Sequence, residues 1–146
     1  IVAYIGRSTK DYIMPKFLFT KGFNKRNYLY NYHMAIEKAK ETSTLFITEG
    51  QGDVWKLYEA GVKNAVGIFG KSLSDKQKKV LETSGITRLV ILTDNDQAGR
   101  ESKMQIQRQM SRMFRVIFPR MPKKDVGDMS AKQIQESILP QLKGMY

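Results

Sequence analysis

Cysteine is absent from the sequence, and histidine occurs once, as His33. The absence of cysteine excludes disulfide bridges, iron–sulfur clusters, cysteine-ligated zinc and thiol nucleophiles. A single histidine nearly excludes multi-histidine metal sites and Ser–His catalytic pairs. Because His33 lies between Tyr32 and Met34 in an aromatic stretch, we expect it to pack against its neighbours or to lie at the surface.

Long apolar runs are also absent. No segment approaches the roughly 20 apolar residues that span a bilayer, and no signal peptide is visible. We therefore expect a soluble, cytoplasmic protein with no membrane partner. The 146 residues suit one compact domain with a small appendage. Since the chain starts at Ile1 without an initiator methionine, we also expect it to be a piece of a longer protein.

Acidic residues are few compared with basic ones. The sequence has 14 Asp and Glu against 25 Lys and Arg, which gives a net charge of +11. A positive field of this size attracts polyanions such as nucleic acids, nucleotides or anionic lipids. A merely solubilising surface explains the same balance, so charge alone does not identify a partner.

From residue 44 onward, short apolar segments alternate with longer amphipathic ones. The apolar segments predict strands at residues 44–48, 64–69, 88–93 and 115–119. The amphipathic segments predict helices at residues 53–60, 74–84, 97–114 and 131–139. Nearly continuous hydrophobicity is typical of parallel strands that are buried on both faces. We therefore expect an α/β fold with a parallel four-stranded sheet flanked by helices.

The first 43 residues follow a different pattern and predict a small, basic α+β subdomain. Its predicted elements are strands at residues 1–5 and 16–19 and a helix at residues 34–40. We therefore place a domain boundary between residues 43 and 44.

Lysines and phenylalanines are interleaved in this subdomain, with Lys16 and Lys25 flanking Phe17, Phe19 and Phe23. Basic residues track phosphates, and exposed aromatic rings stack on unpaired bases. The interpretation that we favour for the phenylalanines themselves is that they form the core of the subdomain.

Acidic side chains follow two predicted strands where these strands end. Glu49 follows the first strand of the domain, and Asp94 and Asp96 follow the third. Ligands bind at the carboxyl ends of strands in open α/β sheets, so we expect these carboxylates on one rim. At ~5 Å and a dielectric of ~20, each pair would repel by about 3 kcal/mol, which Mg²⁺ or Mn²⁺ would relieve. Alternatively, Glu49 is a lone loop acid and Asp96 only caps the next helix.

Glu49-Gly50 after one strand and Asp94-x-Asp96 after another resemble the signature of the Toprim superfamily, which primases, topoisomerases and some nucleases share. Residues 64–77 and 94–100 resemble the corresponding segments of bacterial- and phage-type primases. Ahead of them, residues 5–7, 15–18 and 23–30 resemble the small subdomain that precedes Toprim in these enzymes. The resemblance extends from about residue 2 to about residue 130 and is specific in order and spacing.

The resemblance implies the catalytic core of a DNA primase, with a Rossmann-like Toprim domain at residues 44–146. Such a core joins nucleoside triphosphates (NTPs) into an RNA primer on single-stranded DNA, with Mg²⁺ or Mn²⁺ as cofactor. The implied partners are therefore the DNA template, NTPs and the RNA primer. A replicative helicase would bind through other domains. The same resemblance implies work in the nucleoid or in the cytoplasm of an infected cell.

By this resemblance, Glu49, Asp94 and Asp96 would be catalytic and would hold the metal. Asp125 and Asp128 would supply further metal ligands after the fourth strand. Which of these two is functional is left open, because the residues between them replace a Pro-containing acidic turn that is common in the family.

Five basic residues would bind nucleic acid or nucleotide. Arg7, Lys16 and Lys25 would belong to a ridge that faces template and nucleotide. Arg100 is predicted in the first turn of a helix beside the acids, where a cation opposes the helix dipole, and this favours a functional role. Lys71 occupies a position where the family leads us to expect a small hydroxyl residue.

Two alternative functions would use the same residues. A Toprim nuclease would cleave nucleic acid with the same acids, and a non-catalytic module would bind nucleic acid around a structural metal. The primase-like amino-terminal stretch argues against the nuclease. The presence of the expected acids argues against the inert module.

Overall fold

Two β-sheets organise the part of the chain that this computed structural model describes, residues 1–10 and 12–146. The smaller sheet pairs β1 (Ile5–Arg7) antiparallel with β2 (Phe17–Phe19). The larger sheet contains β3 (Thr44–Thr48), β4 (Ala65–Gly67), β5 (Arg88–Leu92) and β6 (Arg115–Ile117). Its strands are all parallel and lie in the order β4-β3-β5-β6. The predicted α/β fold with a parallel four-stranded sheet is thus confirmed.

Five α-helices accompany the strands in the described residues. They are α1 (Tyr32–Thr42), α2 (Gln51–Glu59), α3 (Asp75–Glu82), α4 (Gln97–Met110) and α5 (Ala131–Ser137). Short 3₁₀ turns lie at Lys25–Asn27 and Leu139–Leu142. None of the helices in residues 1–10 and 12–146 has both the length and the apolar character that crossing a bilayer requires.

Side chains alternate along the central strand β3, so each face of the larger sheet carries its own core. Leu45 and Ile47 belong to one buried cluster, to which α1, α3 and α4 contribute. Phe46 belongs to a second cluster, to which α2 and α5 contribute. Burial on both faces explains why the strand segments of the sequence are continuously apolar.

Helix α1 packs Ala35 and Ala39 against the larger sheet, although it lies before residue 43. The division of the chain at that residue stays a prediction.

Hydrogen bonds join the segment between the two sheets to the larger domain. Tyr30 donates from its backbone N–H to the Gly67 carbonyl at 2.8 Å, and Gly67 donates back to Tyr30 at 3.2 Å. The side chain of Gln77 donates to the Tyr28 carbonyl at 2.7 Å. These bonds attach residues 28–30 to the larger domain.

Some predicted boundaries are wrong by a few residues. The first strand lies at Ile5–Arg7 rather than at residues 1–5, because residues 5–7 are the ones that pair with Phe17–Phe19. The long helix ends at Met110 rather than at residue 114, because the chain turns there and buries Phe114 in the core.

Candidate functional site

Two neighbouring strands of the larger sheet end in acidic residues at the same rim. β3 and β5 pair in parallel with Thr48 opposite Leu92, so Glu49 and Asp94 follow at adjacent strand ends. The backbone N–H of Asp94 donates to Oε1 of Glu49 at 3.2 Å. The structure therefore brings these two predicted site residues together.

Gly99 in the first turn of α4 lies against the backbone of Asp94. A Cβ added to Gly99 would stand 1.7 Å from the Asp94 carbonyl oxygen, so the close approach requires glycine. Oδ1 of Asp96 accepts a hydrogen bond from the Gly99 N–H at 2.8 Å, and this bond lowers the pKa of Asp96. Asp96 thus caps the helix, as one interpretation of the sequence expected, while its charge also acts on Asp94.

Burial and mutual repulsion raise the pKa of both rim acids. Burial is the largest cause of the raised pKa of Glu49, and the charge of Asp94 raises it further. Burial also raises the pKa of Asp94, followed by the charges of Asp125 and Asp96. The side chains therefore lie close enough to oppose one another's ionisation.

Asp53 is a member of this acidic group that the sequence analysis did not single out. Its Oδ2 accepts from the Gly50 N–H at 3.1 Å and its Oδ1 from the Gly127 N–H at 3.0 Å. Burial, and then the charges of Asp125 and Asp94, raise the pKa of Asp53 to about 6. The sequence could have indicated this position, because an acid at the third residue of a helix reaches back to the N–H of the capping residue, which here is Gly50 beside Glu49.

Asp125 contributes to the same group from the loop after β6. Its charge raises the pKa of both Asp53 and Asp94. Its Oδ1 also accepts from the backbone N–H of Asp128 at 2.8 Å, which orders the loop. Asp128 is exposed and lines the same cleft as Glu49, Asp53 and Asp94, whereas Asp96 is not among the described residues that line it.

Four of the five predicted basic residues fall into two groups. Arg7, Lys16 and Lys25 line the cleft that also contains the acids. Lys71 lies close enough to the acids that its charge lowers the pKa of Glu49. Lys124, which the sequence analysis did not select, lowers the pKa of Asp94 in the same way. Arg100 does not join either group: its guanidinium donates to the Gln97 side chain at 2.8 Å, and it is not among the described residues lining the cleft.

The cleft encloses about 800 Å³ between the rim of the larger sheet and the small sheet. Arg7 lies over the ring of Phe17 at 5.7 Å and Lys25 over the ring of Phe19 at 5.5 Å. Phe19 also packs against Phe69, with ring centroids 5.3 Å apart, in agreement with the favoured interpretation that it is a packing residue. The cleft thus has a basic wall that carries Arg7, Lys16 and Lys25 and a wall at the sheet rim that carries the acids together with Lys56. An anionic substrate with a bound cation would need both kinds of group.

Residues 43–117, about half of the chain, match the family model of the Toprim domain. This chain belongs to the Toprim family. Its four-stranded sheet and the acids that follow β3 and β5 are the features through which the sequence resembled that family.

Among known proteins of the Toprim family, this chain is similar to bacterial DNA primases. It is 34% identical to a Helicobacter pylori DNA primase over 107 residues, which cover 70% of this chain and 18% of the primase. It is 32% identical to a Thermotoga maritima DNA primase over 149 residues, covering 98% of this chain and 26% of the primase. The solved structure of a Pseudomonas aeruginosa DNA primase domain shares 26% identity and a TM-score of 0.74, covering 94% of this chain and 47% of that one.

These similarities confirm the expected resemblance to the Toprim core of a bacterial-type DNA primase. The chain spans less than a third of the length of either curated primase.

The acids of this Toprim rim suit a divalent cation in their chemistry. Carboxylate oxygens are the ligands that Mg²⁺ and Mn²⁺ prefer. Glu49, Asp53 and Asp94 each have a pKa that neighbouring acids raise, so a cation among them would relieve repulsion. Within the part of the chain that the structure describes, no three Asp, Glu, His or Cys side chains converge into a ready-made metal site.

Proposed function

We propose that this chain is the catalytic core of a DNA primase, which joins NTPs into an RNA primer on a single-stranded DNA template. The observation that carries the proposal is the cleft in which the acids of the Toprim rim face Arg7, Lys16 and Lys25. The similarity to the Thermotoga maritima primase extends over 98% of the chain and thus includes both walls of the cleft. A Toprim domain without the amino-terminal wall would be equally compatible with a nuclease.

We assign the role of holding Mg²⁺ or Mn²⁺ to Glu49, Asp94 and Asp96, assisted by Asp53 and Asp125. When bound, the cation supplies neutralisation of triphosphate charge and activation of the attacking 3′-hydroxyl. The protein's own contribution is to hold the carboxylates in place. Backbone N–H groups donate to Glu49, to Asp53 and to Asp96, so these side chains are oriented before any ligand arrives.

The basic wall binds the polyanionic partners in this proposal. Arg7, Lys16 and Lys25 would contact phosphates of the template and the primer. Lys71 and Lys124, which already act on the rim acids, would contact the triphosphate. Because the rim acids and these basic residues lie on different walls, the substrate phosphates can lie between the cation and the lysines.

We further propose that the enzyme works in the bacterial or phage-infected cytoplasm and that a replicative helicase is a partner of the larger protein. The similarity of this chain to bacterial DNA primases supports the bacterial setting. The helicase follows only from the resemblance to the primase family. Neither of them depends on the geometry of the cleft.

The decisive experiment supplies single-stranded DNA, a short annealed RNA primer, NTPs and Mg²⁺ or Mn²⁺ to the purified chain. We expect extended RNA and no cut DNA. Glu49→Gln and Asp94→Asn should each reduce the product by at least about 100-fold, since each removes a charge from the site that stabilises the transition state. Glu82→Gln, an equivalent change at an exposed position of α3 outside the cleft, should retain full activity.

The two alternatives give different results in the same experiment. Metal-dependent DNA fragments without extended RNA would show that the chain is a nuclease and not a primase. Tight DNA binding with neither product would leave only a binding module.

A further inference from the structure

Trp55, the only tryptophan of the sequence, lies in α2 two residues after Asp53. Its side chain is 56% exposed and forms part of the wall of the cleft that contains the acids and the basic residues. Tryptophan is highly buried on average, because exposing its ring to water is unfavourable. An exposed indole on the wall of a charged cleft is therefore a candidate for contact with a ligand.

The indole is held in one orientation by the protein. Its Nε1–H donates to the hydroxyl of Tyr30 at 2.8 Å. Tyr30 is fixed in turn by its two backbone hydrogen bonds with Gly67 and by an edge-to-face contact with Phe69, with ring centroids 5.7 Å apart. Since Nε1–H is the one polar group of an indole, the surface left to solvent is apolar ring.

The cleft wall that carries this ring also carries side chains of the types that bind phosphates or a cation. Lys16, Lys25 and Lys56 line the same cleft, and so do Glu49 and Asp53. Aromatic rings set among basic side chains are the arrangement with which proteins bind unpaired nucleotides: the cations track the backbone and the rings stack on bases. A structural role for Trp55 is less consistent with its exposure, because a packing residue would turn its ring inward.

We propose that the exposed face of Trp55 stacks on an unpaired nucleobase held in the cleft, and so positions that nucleotide relative to the rim acids. The proposal rests on the proposed function for the presence of nucleotides in the cleft. The base comes either from the template strand or from the incoming NTP. Both present the same flat, aromatic surface, so the experiment needs one arm for each source.

The first arm compares oligothymidylate with an abasic oligonucleotide of the same length, in Mg²⁺-containing buffer. Both carry the same phosphates, so the ratio of their affinities reports on bases alone. Loss of one stacked base weakens binding by about tenfold, and we expect Trp55→Leu to show this loss for oligothymidylate but not for the abasic strand. Trp55→Phe, which keeps an aromatic face, should remain within about threefold of the wild type.

Tyr58→Leu is the matched control for this arm. Tyr58 lies in the same helix and is 49% exposed, but it is not among the described residues that line the cleft. Its substitution should leave both affinities unchanged. The slope of log affinity against log salt should also be unchanged in all three variants, because none of them removes a phosphate contact.

The second arm uses the fluorescence of the single tryptophan, which reports on Trp55 alone. If the base comes from the incoming NTP, Mg-ATP should quench this fluorescence, whereas Mg-tripolyphosphate, which lacks a base, should not. Quenching by oligothymidylate but not by Mg-ATP would identify the template as the source of the base, and the reverse would identify the NTP.

Equal preference for base-bearing over abasic DNA in the wild type and in Trp55→Leu, with no quenching by either ligand, would overturn the proposal. These outcomes are separate from those of the proposed function. RNA synthesis without any effect of Trp55→Leu on base binding refutes the stacking role alone. Base-dependent quenching in a protein that makes no RNA supports the stacking role and refutes the primase.

Discussion

Replacing Asp53 with asparagine should stabilise the metal-free protein at neutral pH and slightly destabilise it at acidic pH. The folded state raises the pKa of Asp53 from 3.8 to about 6, chiefly through burial and then through the charges of Asp125 and Asp94. Because the folded pKa lies above the unfolded value, the folded protein binds this proton more tightly. The stability that depends on it is therefore fully present below the unfolded pKa and is lost as the pH rises through about 6.

The magnitude follows from the size of the shift. A pKa raised by about two corresponds to about 3 kcal/mol in the free energy of unfolding. The wild type, in which Asp53 is ionised at neutral pH, is less stable by that amount than it would be with Asp53 protonated. Asparagine carries no charge and avoids this cost at every pH, but its NH2 group replaces one of the two oxygens that accept from Gly50 and Gly127, and losing that hydrogen bond costs about 1 kcal/mol. Asp53→Asn should therefore be more stable than the wild type by up to about 2 kcal/mol at neutral pH and less stable by about 1 kcal/mol near pH 4.

Urea unfolding with a chelator present, over the range from about pH 4 to about pH 8, measures this difference directly. Glu82→Gln provides the control, since that exposed side chain in α3 should change stability by no more than about 0.5 kcal/mol at any pH. A difference between wild type and Asp53→Asn that does not vary with pH would refute the electrostatic explanation. Adding Mg²⁺ should then stabilise the wild type more than the variant, because the variant has lost a charge that attracts the cation.

Two further predictions concern the backbone of the rim and the basic wall. Gly99→Ala should lower the free energy of unfolding by about 3 kcal/mol, because its Cβ would overlap a backbone oxygen, whereas Gly52→Ala in α2 has open space and should cost nothing in urea unfolding. Equal effects of the two would show that the close approach is not real. Replacing Lys16 and Lys25 together with Ala should flatten the salt dependence of single-stranded DNA binding by about 1.4, at about 0.7 per phosphate contact, while Lys40→Ala should not change it.

The architecture of the larger domain could be predicted because its strands are buried on both faces. A strand in that environment is continuously apolar, and the segment at residues 44–48 matches β3 to the residue. The short edge strands were less predictable. β6 is three residues long: Arg115 is exposed and the other two side chains are only partly buried. The apolar run of residues 115–119 therefore predicted a strand that is too long. The pairing of Ile5–Arg7 depends on a partner strand that local sequence does not specify.

The candidate site was predictable where strand ends determine it. Glu49 and Asp94 are adjacent because parallel strands end at the same edge, and this rule needs no knowledge of helix packing. Asp53 was not predictable in this way. Its place in the acidic group depends on how α2 sits on the sheet and on a hydrogen bond from Gly127, which is 74 residues away along the chain. Arg100 was expected beside the acids from its helical turn alone, and the structure pairs its side chain with Gln97.

The acids of the cleft are oriented mainly by backbone N–H groups, and this has a chemical consequence. Glu49 accepts from Asp94, Asp53 from Gly50 and Gly127. Backbone donors fix the direction of a carboxylate without cancelling its charge, whereas a lysine or arginine in direct contact would neutralise it. The ion pairs found between described residues lie instead within single helices, and none of them includes a rim acid. The rim therefore keeps a negative charge that a cation can still neutralise, at the cost of stability that Asp53→Asn would recover in part.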